Sequence, residues 1–207
     1  YTSNSGLIQL RKLISRYMET RYGLSYNPDN EIITTVGVSE GIDIAFMALL
    51  NPGDEVLLPE PCFVSYAPAV LLAGGVPVVV KCVKENGFII TPEMLEEKIT
   101  PKTKAILMCY PNNPTGVLLP RELLQAALRI CRAQGTCVLL DECFLDFLQQ
   151  RDALTAKPLL QTAPNLVILK AFTKLYAMAG VRLGYALCSN TALLAKMQAA
   201  GQPWGVS

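Results

Sequence analysis

Histidine is absent from this chain of 207 residues. That absence removes His-based catalytic triads, H-E-x-x-H zinc sites and the commonest general base at neutral pH. Charge is also scarce: 17% of residues are charged, and 18 Lys+Arg against 17 Asp+Glu leave a net charge of +1 with no basic block. The electrostatic footprint that attracts a nucleic-acid duplex or an anionic membrane is therefore missing, and neither is expected as a partner. Apolar residues make up 51% of the chain, enough to exclude disorder. Mean hydropathy is +0.33, yet no apolar run reaches the ~18 residues of a membrane-spanning helix, so a soluble chain is expected. The first ten residues carry no charged start, apolar core or cleavage site of a secretory signal. The seven cysteines, Cys62, Cys82, Cys109, Cys131, Cys137, Cys143 and Cys188, include no C-x-x-C pair. They read as small buried hydrophobes in a reducing compartment, which predicts a cytoplasmic location. Chemistry is left to lysine, carboxylate, tyrosine, cysteine or a cofactor.

What is present is an alternation of helices and short apolar strands. Leu7, Leu10, Leu13, Ile14 and Tyr17 recur at steps of three and four and predict a helix over 7–22, ending before Gly23. A strand over 31–36 is followed by the turn Gly37-Val38-Ser39-Glu40-Gly41 and a helix over 42–50, stopped by Asn51-Pro52-Gly53-Asp54. Further strands are expected at 55–58, 76–80, 105–109, 137–140, 166–169 and 183–188. Helices are expected at 63–73, after the cap Thr91 with Pro92 in first position, at 120–133 and at 191–199. Strands without polar alternation, separated by helices, predict an α/β fold with a mostly parallel sheet covered on both faces, a three-layer αβα sandwich. No repeat or linker divides the chain. In such sheets ligands sit at the carboxyl ends of the strands.

The loops after those strands carry the informative residues. Lys174, in Thr173-Lys174-Leu175-Tyr176, is either a solvated surface lysine or a nucleophile at the mouth of the sheet. Arg182 lies in the apolar segment Gly180-Val181-Arg182-Leu183-Gly184, where an unpaired charge is costly, and a phosphate suits its planar guanidinium. Asp141 ends a buried strand and is either a helix cap or a fixed negative charge for a protonated ring nitrogen. Asn113, in Tyr110-Pro111-Asn112-Asn113-Pro114-Thr115-Gly116, either satisfies its own turn or faces a ligand. The Gly37–Gly41 turn offers backbone N–H groups and a positive helix end to an anion. It matches neither the Walker pattern nor G-x-G-x-x-G, which weakens ATP and dinucleotide readings.

A nucleophilic lysine, a ring-nitrogen carboxylate, an anion-binding helix start and an arginine together describe a site for pyridoxal 5'-phosphate. The motifs Gly-turn, Asn-Pro-Thr-Gly, Asp, Thr-Lys and Arg stand in the order found in fold-type I pyridoxal-phosphate enzymes. The chain resembles the large, cofactor-binding domain of their class I/II aminotransferase group over essentially its whole length, 1–207. The resemblance implies that Asn113 bonds the ring hydroxyl oxygen and Asp141 the pyridinium nitrogen. It further implies that Lys174 forms the Schiff base and then moves the substrate's α-proton. Arg182, assisted by the backbone N–H groups of Ser39 and Glu40, is implied to hold the phosphate, with Thr173 adjoining the lysine. Phe63 matches an aromatic that stacks on the ring, with a core aromatic as the alternative reading. Tyr1 matches a tyrosine that reaches the neighbouring subunit's phosphate, which implies a homodimer.

The departures are informative too. Phe144 stands where aminotransferases often carry a tyrosine, and Ala171 where relatives often carry a phosphate-binding hydroxyl. Residues 31–119 resemble aspartate or aromatic aminotransferases. The runs around Asp141 and Lys174 resemble histidinol-phosphate aminotransferases and threonine-phosphate decarboxylases. Relatives also have a segment before the tyrosine matched by Tyr1 and a small domain beyond the position of Ser207. The expected activity is transfer of an amino group from an amino acid to an oxo acid. The alternatives are decarboxylation of a phosphorylated amino acid, or a cofactor-binding core without efficient turnover.

Overall fold

The computed structural model describes residues 3–202. The chain alternates through α1 (Ile8–Tyr22), β1 (Ile32–Thr35), α2 (Gly37–Leu49), β2 (Glu55–Glu60), α3 (Tyr66–Leu72), β3 (Val76–Lys81) and α4 (Pro92–Lys98). It continues through β4 (Thr103–Cys109), α5 (Arg121–Ala133), β5 (Cys137–Asp141), α6 (Arg151–Leu154), β6 (Leu166–Ala171), β7 (Gly184–Leu187) and α7 (Thr191–Ala200). The expected elements are present, with ends moved by a few residues. Local signals explain several of these ends. Gly23 takes a left-handed φ of 64° and returns its N–H to the Glu19 carbonyl, closing α1. Thr91 accepts the Met94 N–H at 3.4 Å ahead of Pro92, opening α4. Asn190 caps α7 by accepting from the Leu193 N–H at 3.1 Å.

Among the described residues seven strands form one sheet, in the order β1-β7-β6-β5-β4-β2-β3. Pairs from β6 through β3 are parallel, whereas β7 runs antiparallel to both β6 and β1. Neighbouring residues on each central strand feed opposite cores. Leu57, Ile106, Val138, Leu140 and Ile168 pack beneath α1, α4 and α5. Leu58, Leu107, Leu139, Leu169 and Ala186 pack beneath α2, α3 and α7. Burial on both faces explains why these strands show no polar alternation. The fold is therefore the three-layer αβα sandwich expected from sequence. The seven cysteines are all unpaired, six buried and Cys62 half-buried. Among the described residues no helix is long and apolar enough to cross a membrane.

One helix-side lysine is enclosed by this packing. Lys157 is 1% exposed, its Nζ sits 3.7 Å from the Tyr22 ring centroid, and burial, with the nearby Lys170 charge, pulls its pKa down to about 8. The unfolded chain keeps the ordinary value of 10.5. Between those values the unfolded state binds more protons than the folded state, so this residue adds stability as pH rises and removes it as pH falls. Urea unfolding of wild type and Lys157→Met at pH 7.5 and pH 10 is expected to show wild type gaining on the variant at the higher pH. A difference that stays constant across this range would contradict the assignment.

Candidate active site

The carboxyl ends of the parallel strands share one edge of the sheet. Because β1 runs parallel to β6, the passage from β1 into α2 opens at that same edge, and the reversed β7 is entered there. Residues from five separated parts of the chain consequently meet around a cavity of about 180 Å³. Its walls include Ser39, Phe63, Asn113, Asp141, Thr173, Lys174 and Arg182, all expected from sequence, together with Tyr66, Cys143 and Phe144. Glu40 is not among them, and Tyr1 lies outside the described residues.

Asp141 ends β5 on the α3 side of the sheet and is 7% exposed. Its Oδ2 accepts from the Tyr66 hydroxyl at 2.9 Å, and its Oδ1 accepts from the Cys143 N–H at 2.9 Å. Both donors are uncharged, and among the described residues Asp141 forms no ion pair. A buried carboxylate is costly without a cationic or well-donating partner, so this wall of the cavity suits a positively charged N–H donor. The helix-cap reading fails, because Asp141 accepts from the second residue of a loop rather than from a helix start. Burial first, and the Asp141 charge second, push the Tyr66 pKa far above its ordinary value, so the phenol stays a donor. The same causes push the Cys109 thiol up to about 12. Phe63 stands edge-on to Tyr66, with centroids 5.8 Å apart and planes at 79°. It is 41% exposed and lines the cavity, outside both hydrophobic cores.

The other end of the cavity is built for an anion. The Gly37–Gly41 segment is not a turn preceding a helix: α2 begins at Gly37 itself. With Val36 as cap, the groups left without intrahelical acceptors are those of Val36 to Ser39. The Val36 N–H is taken by the Glu40 carboxylate at 2.5 Å. The N–H groups left free at this helix start are therefore those of Gly37, Val38 and Ser39, whereas the Glu40 N–H lies within the first helical turn's hydrogen bonding. Gly37 has a φ of +73°, and a Cβ there would lie 2.9 Å from Arg182 Nη2. Arg182 adopts a φ of 56°, the left-handed region that costs a non-glycine residue about 1 kcal/mol. Far from being embedded, it is exposed at the cavity mouth and makes no hydrogen bond or ion pair among the described residues.

Lys174 differs from expectation as well: it is exposed, not partly buried, because residues 172–183 cross the mouth as a loop. Its Nζ stands 5.5 Å from the Phe144 ring centroid, a cation–π contact. Asn112, not Asn113, satisfies the Asn-Pro-Thr-Gly loop. Its Oδ1 accepts from the Thr115 N–H at 3.1 Å and hydroxyl at 2.7 Å, and its amide donates to the Pro61 carbonyl at 3.0 Å. The half-buried Asn113 amide forms no side-chain hydrogen bond among the described residues and faces the cavity. Sequence reasoning missed Tyr66, hidden in an apolar helix pattern, and Lys170. The Lys170 Nζ donates to the Glu142 carbonyl at 3.0 Å and pairs with Asp146 at 2.8 Å. Glu142 in turn accepts from the Ala156 N–H at 2.7 Å and the Thr155 hydroxyl at 2.9 Å. This cluster clamps the loop that carries Cys143 and Phe144.

A family model, aminotransferase class I and II, matches residues 1–207. The chain belongs to this family. It is similar to a Bacillus subtilis protein named as an aminotransferase, YugH, at 44% identity over 90% of this chain and 48% of that one. The aspartate aminotransferase of Geobacillus stearothermophilus is 38% identical over 90% of this chain and 48% of its own length. Among solved structures, an aspartate aminotransferase of Thermotoga maritima superposes with a TM-score of 0.86 at 33% identity, covering 96% of this chain and 52% of that one. That of Thermus thermophilus, solved with maleate, gives 0.84 at 34% identity, covering 96% and 51%. The chain thus spans about half the length of the curated relatives it matches. These alignments run through both halves of the chain, so likeness to aspartate aminotransferases is not confined to residues 31–119.

Members of the family depend on pyridoxal phosphate, and the cavity fits it on structural grounds. A carboxylate with only neutral donors lines one side, free N–H groups and an unpaired arginine line the other, and a Cβ at Gly37 would intrude on that anion cradle. Gly37→Ala is therefore expected to weaken pyridoxal-phosphate binding more than about tenfold, because it displaces Arg182 as well as straining the backbone. Fluorescence titration with the cofactor checks this against a thermal melt. Unchanged affinity in the folded variant would contradict the cradle.

Proposed function

We propose that residues 1–207 form the large, cofactor-binding domain of a pyridoxal 5'-phosphate-dependent aminotransferase. The observation that carries this reading is the convergence of Ser39, Phe63, Asn113, Asp141, Thr173, Lys174 and Arg182 on one cavity. Bound there, the cofactor supplies a carbonyl carbon for amines and an electron sink for the substrate's α-carbon. Arg182 and the N–H groups of Gly37, Val38 and Ser39 hold the phosphate, combining a planar cation with a positive helix end. Asp141 would hold the ring nitrogen, Asn113 the ring oxygen, and Phe63 would adjoin the ring. Thr173 lines the same pocket beside the lysine. Lys174 would be the amine that holds the cofactor's carbonyl carbon, and its Nζ would be the group that carries the proton of the substrate's α-carbon.

The substrates on this reading are an amino-acid donor and an oxo-acid acceptor. A homodimer is supported by the apolar side chains left exposed on and before α3, Val64 at 81% and Leu72 at 85%. A cytoplasmic location is supported by seven unpaired cysteines. Phe144 favours a second reading, since it presents a ring without a hydroxyl to Lys174. That reading is decarboxylation of a phosphorylated amino acid.

Borohydride reduction of the protein incubated with pyridoxal phosphate, followed by peptide mapping, is expected to fix the label on Lys174 and to lose it in Lys174→Ala. A folded protein that yields no adduct at Lys174 would overturn the reading. With amino donor alone, the aminotransferase accumulates pyridoxamine phosphate. Release of carbon dioxide without an acceptor would instead select the decarboxylase.

A further inference from the structure

The geometry points to Tyr66 as a positioning residue that fixes the Asp141 carboxylate against the cofactor's ring nitrogen. This rests on the reading of the cavity given above. Tyr66 is the first residue of α3 and 1% exposed, so its hydroxyl has little access to water. The hydroxyl donates to Asp141 Oδ2 at 2.9 Å and lies beside the Cys109 thiol. The carboxylate's other oxygen is held by the Cys143 N–H. Two neutral donors, one from α3 and one from the loop after β5, therefore fix the plane of Asp141. The remaining lone pairs are left for a donor in the cavity. The Tyr66 ring also carries Phe63 edge-on at 5.8 Å, so one side chain joins the carboxylate to the aromatic wall. A purely structural tyrosine would need only its ring, whereas this one spends its hydroxyl on a buried carboxylate that a hydrogen bond to charge stabilises strongly.

The test compares wild type with Tyr66→Phe in the full protein, using pyridoxal 5'-phosphate labelled with nitrogen-15 in the ring. Removing the hydroxyl is expected to raise the Kd roughly tenfold. It should also move the ring-nitrogen resonance toward the unprotonated position, with the ring packing retained. Unchanged Kd and resonance would overturn the assignment, as would a lower melting temperature with an unchanged resonance, which marks a merely structural role. If Tyr66→Phe does not fold, 3-fluorotyrosine and 3,5-difluorotyrosine at position 66 decide. Both keep the ring while sharpening the donor, and are expected to move the resonance progressively toward the protonated position. A resonance independent of phenol acidity contradicts the role. Wild type that binds no pyridoxal phosphate would sink the proposed function and this inference together. Wild type that binds, with Tyr66→Phe identical to it, sinks this inference alone.

Discussion

The start of α2 approaches β7 so closely that position 184 has no room for a side chain. A Cβ on Gly184 would lie 2.8 Å from the Gly37 carbonyl carbon and 2.9 Å from the Lys170 carbonyl oxygen. Backbone distances of this kind cannot be relieved by rotating a side chain. The contact presses the positive end of α2 against the edge where β6 ends and β7 begins, and Arg182, two residues before Gly184, is delivered to the same place. The meeting of the α2 N-terminus with Arg182 thus follows from the close approach at Gly184 and one reversed strand. Had β7 run parallel to β6, its entry would lie at the opposite edge of the sheet, and Arg182 with it.

The second organising feature is the alternation of side chains across β5 and β6. Asp141 and Ala171 face the layer of α2, α3 and α7. Glu142 and Lys170, one residue away in each case, turn toward the opposite layer. There they join Asp146 in a cluster buried with its ion pairs complete. The sheet therefore separates two kinds of buried charge. On one side a lysine neutralises carboxylates and holds a loop. On the other a single carboxylate is held by neutral donors, the Tyr66 hydroxyl and the Cys143 N–H, and borders the cavity. Removing Lys170 would leave Glu142 and Asp146 uncompensated, which is a structural loss. Removing the Tyr66 hydroxyl changes what Asp141 presents to the cavity.

Much of this was legible in the sequence because short-range signals decide it. Apolar strands buried on both faces, the Thr91-Pro92 helix start and the Gly23 stop are local patterns, and the motif order carried the cofactor. The reversal of β7 was not legible, since an antiparallel neighbour and a parallel one need the same apolar residues. Position along the chain also says little about exposure. Lys174 and Arg182 sit among apolar residues in sequence, but the loop that bears them lies over the mouth of the cavity. Tyr66 escaped notice because its hydroxyl partner is 75 residues away, and its helix reads simply as apolar. The division of labour between Asn112 and Asn113 was likewise invisible: two adjacent asparagines differ only in which one the folded loop turns inward.

Whether the edge cavity between the start of α2 and Asp141 holds pyridoxal phosphate is decided by a crystal structure of the protein grown with the cofactor. Electron density is expected to be continuous with Lys174 Nζ, with the phosphate against Arg182 and the Gly37–Ser39 amides and the ring nitrogen within hydrogen-bond distance of Asp141. Cofactor density elsewhere on the molecule, or none in this cavity at saturating concentration, would contradict this expectation.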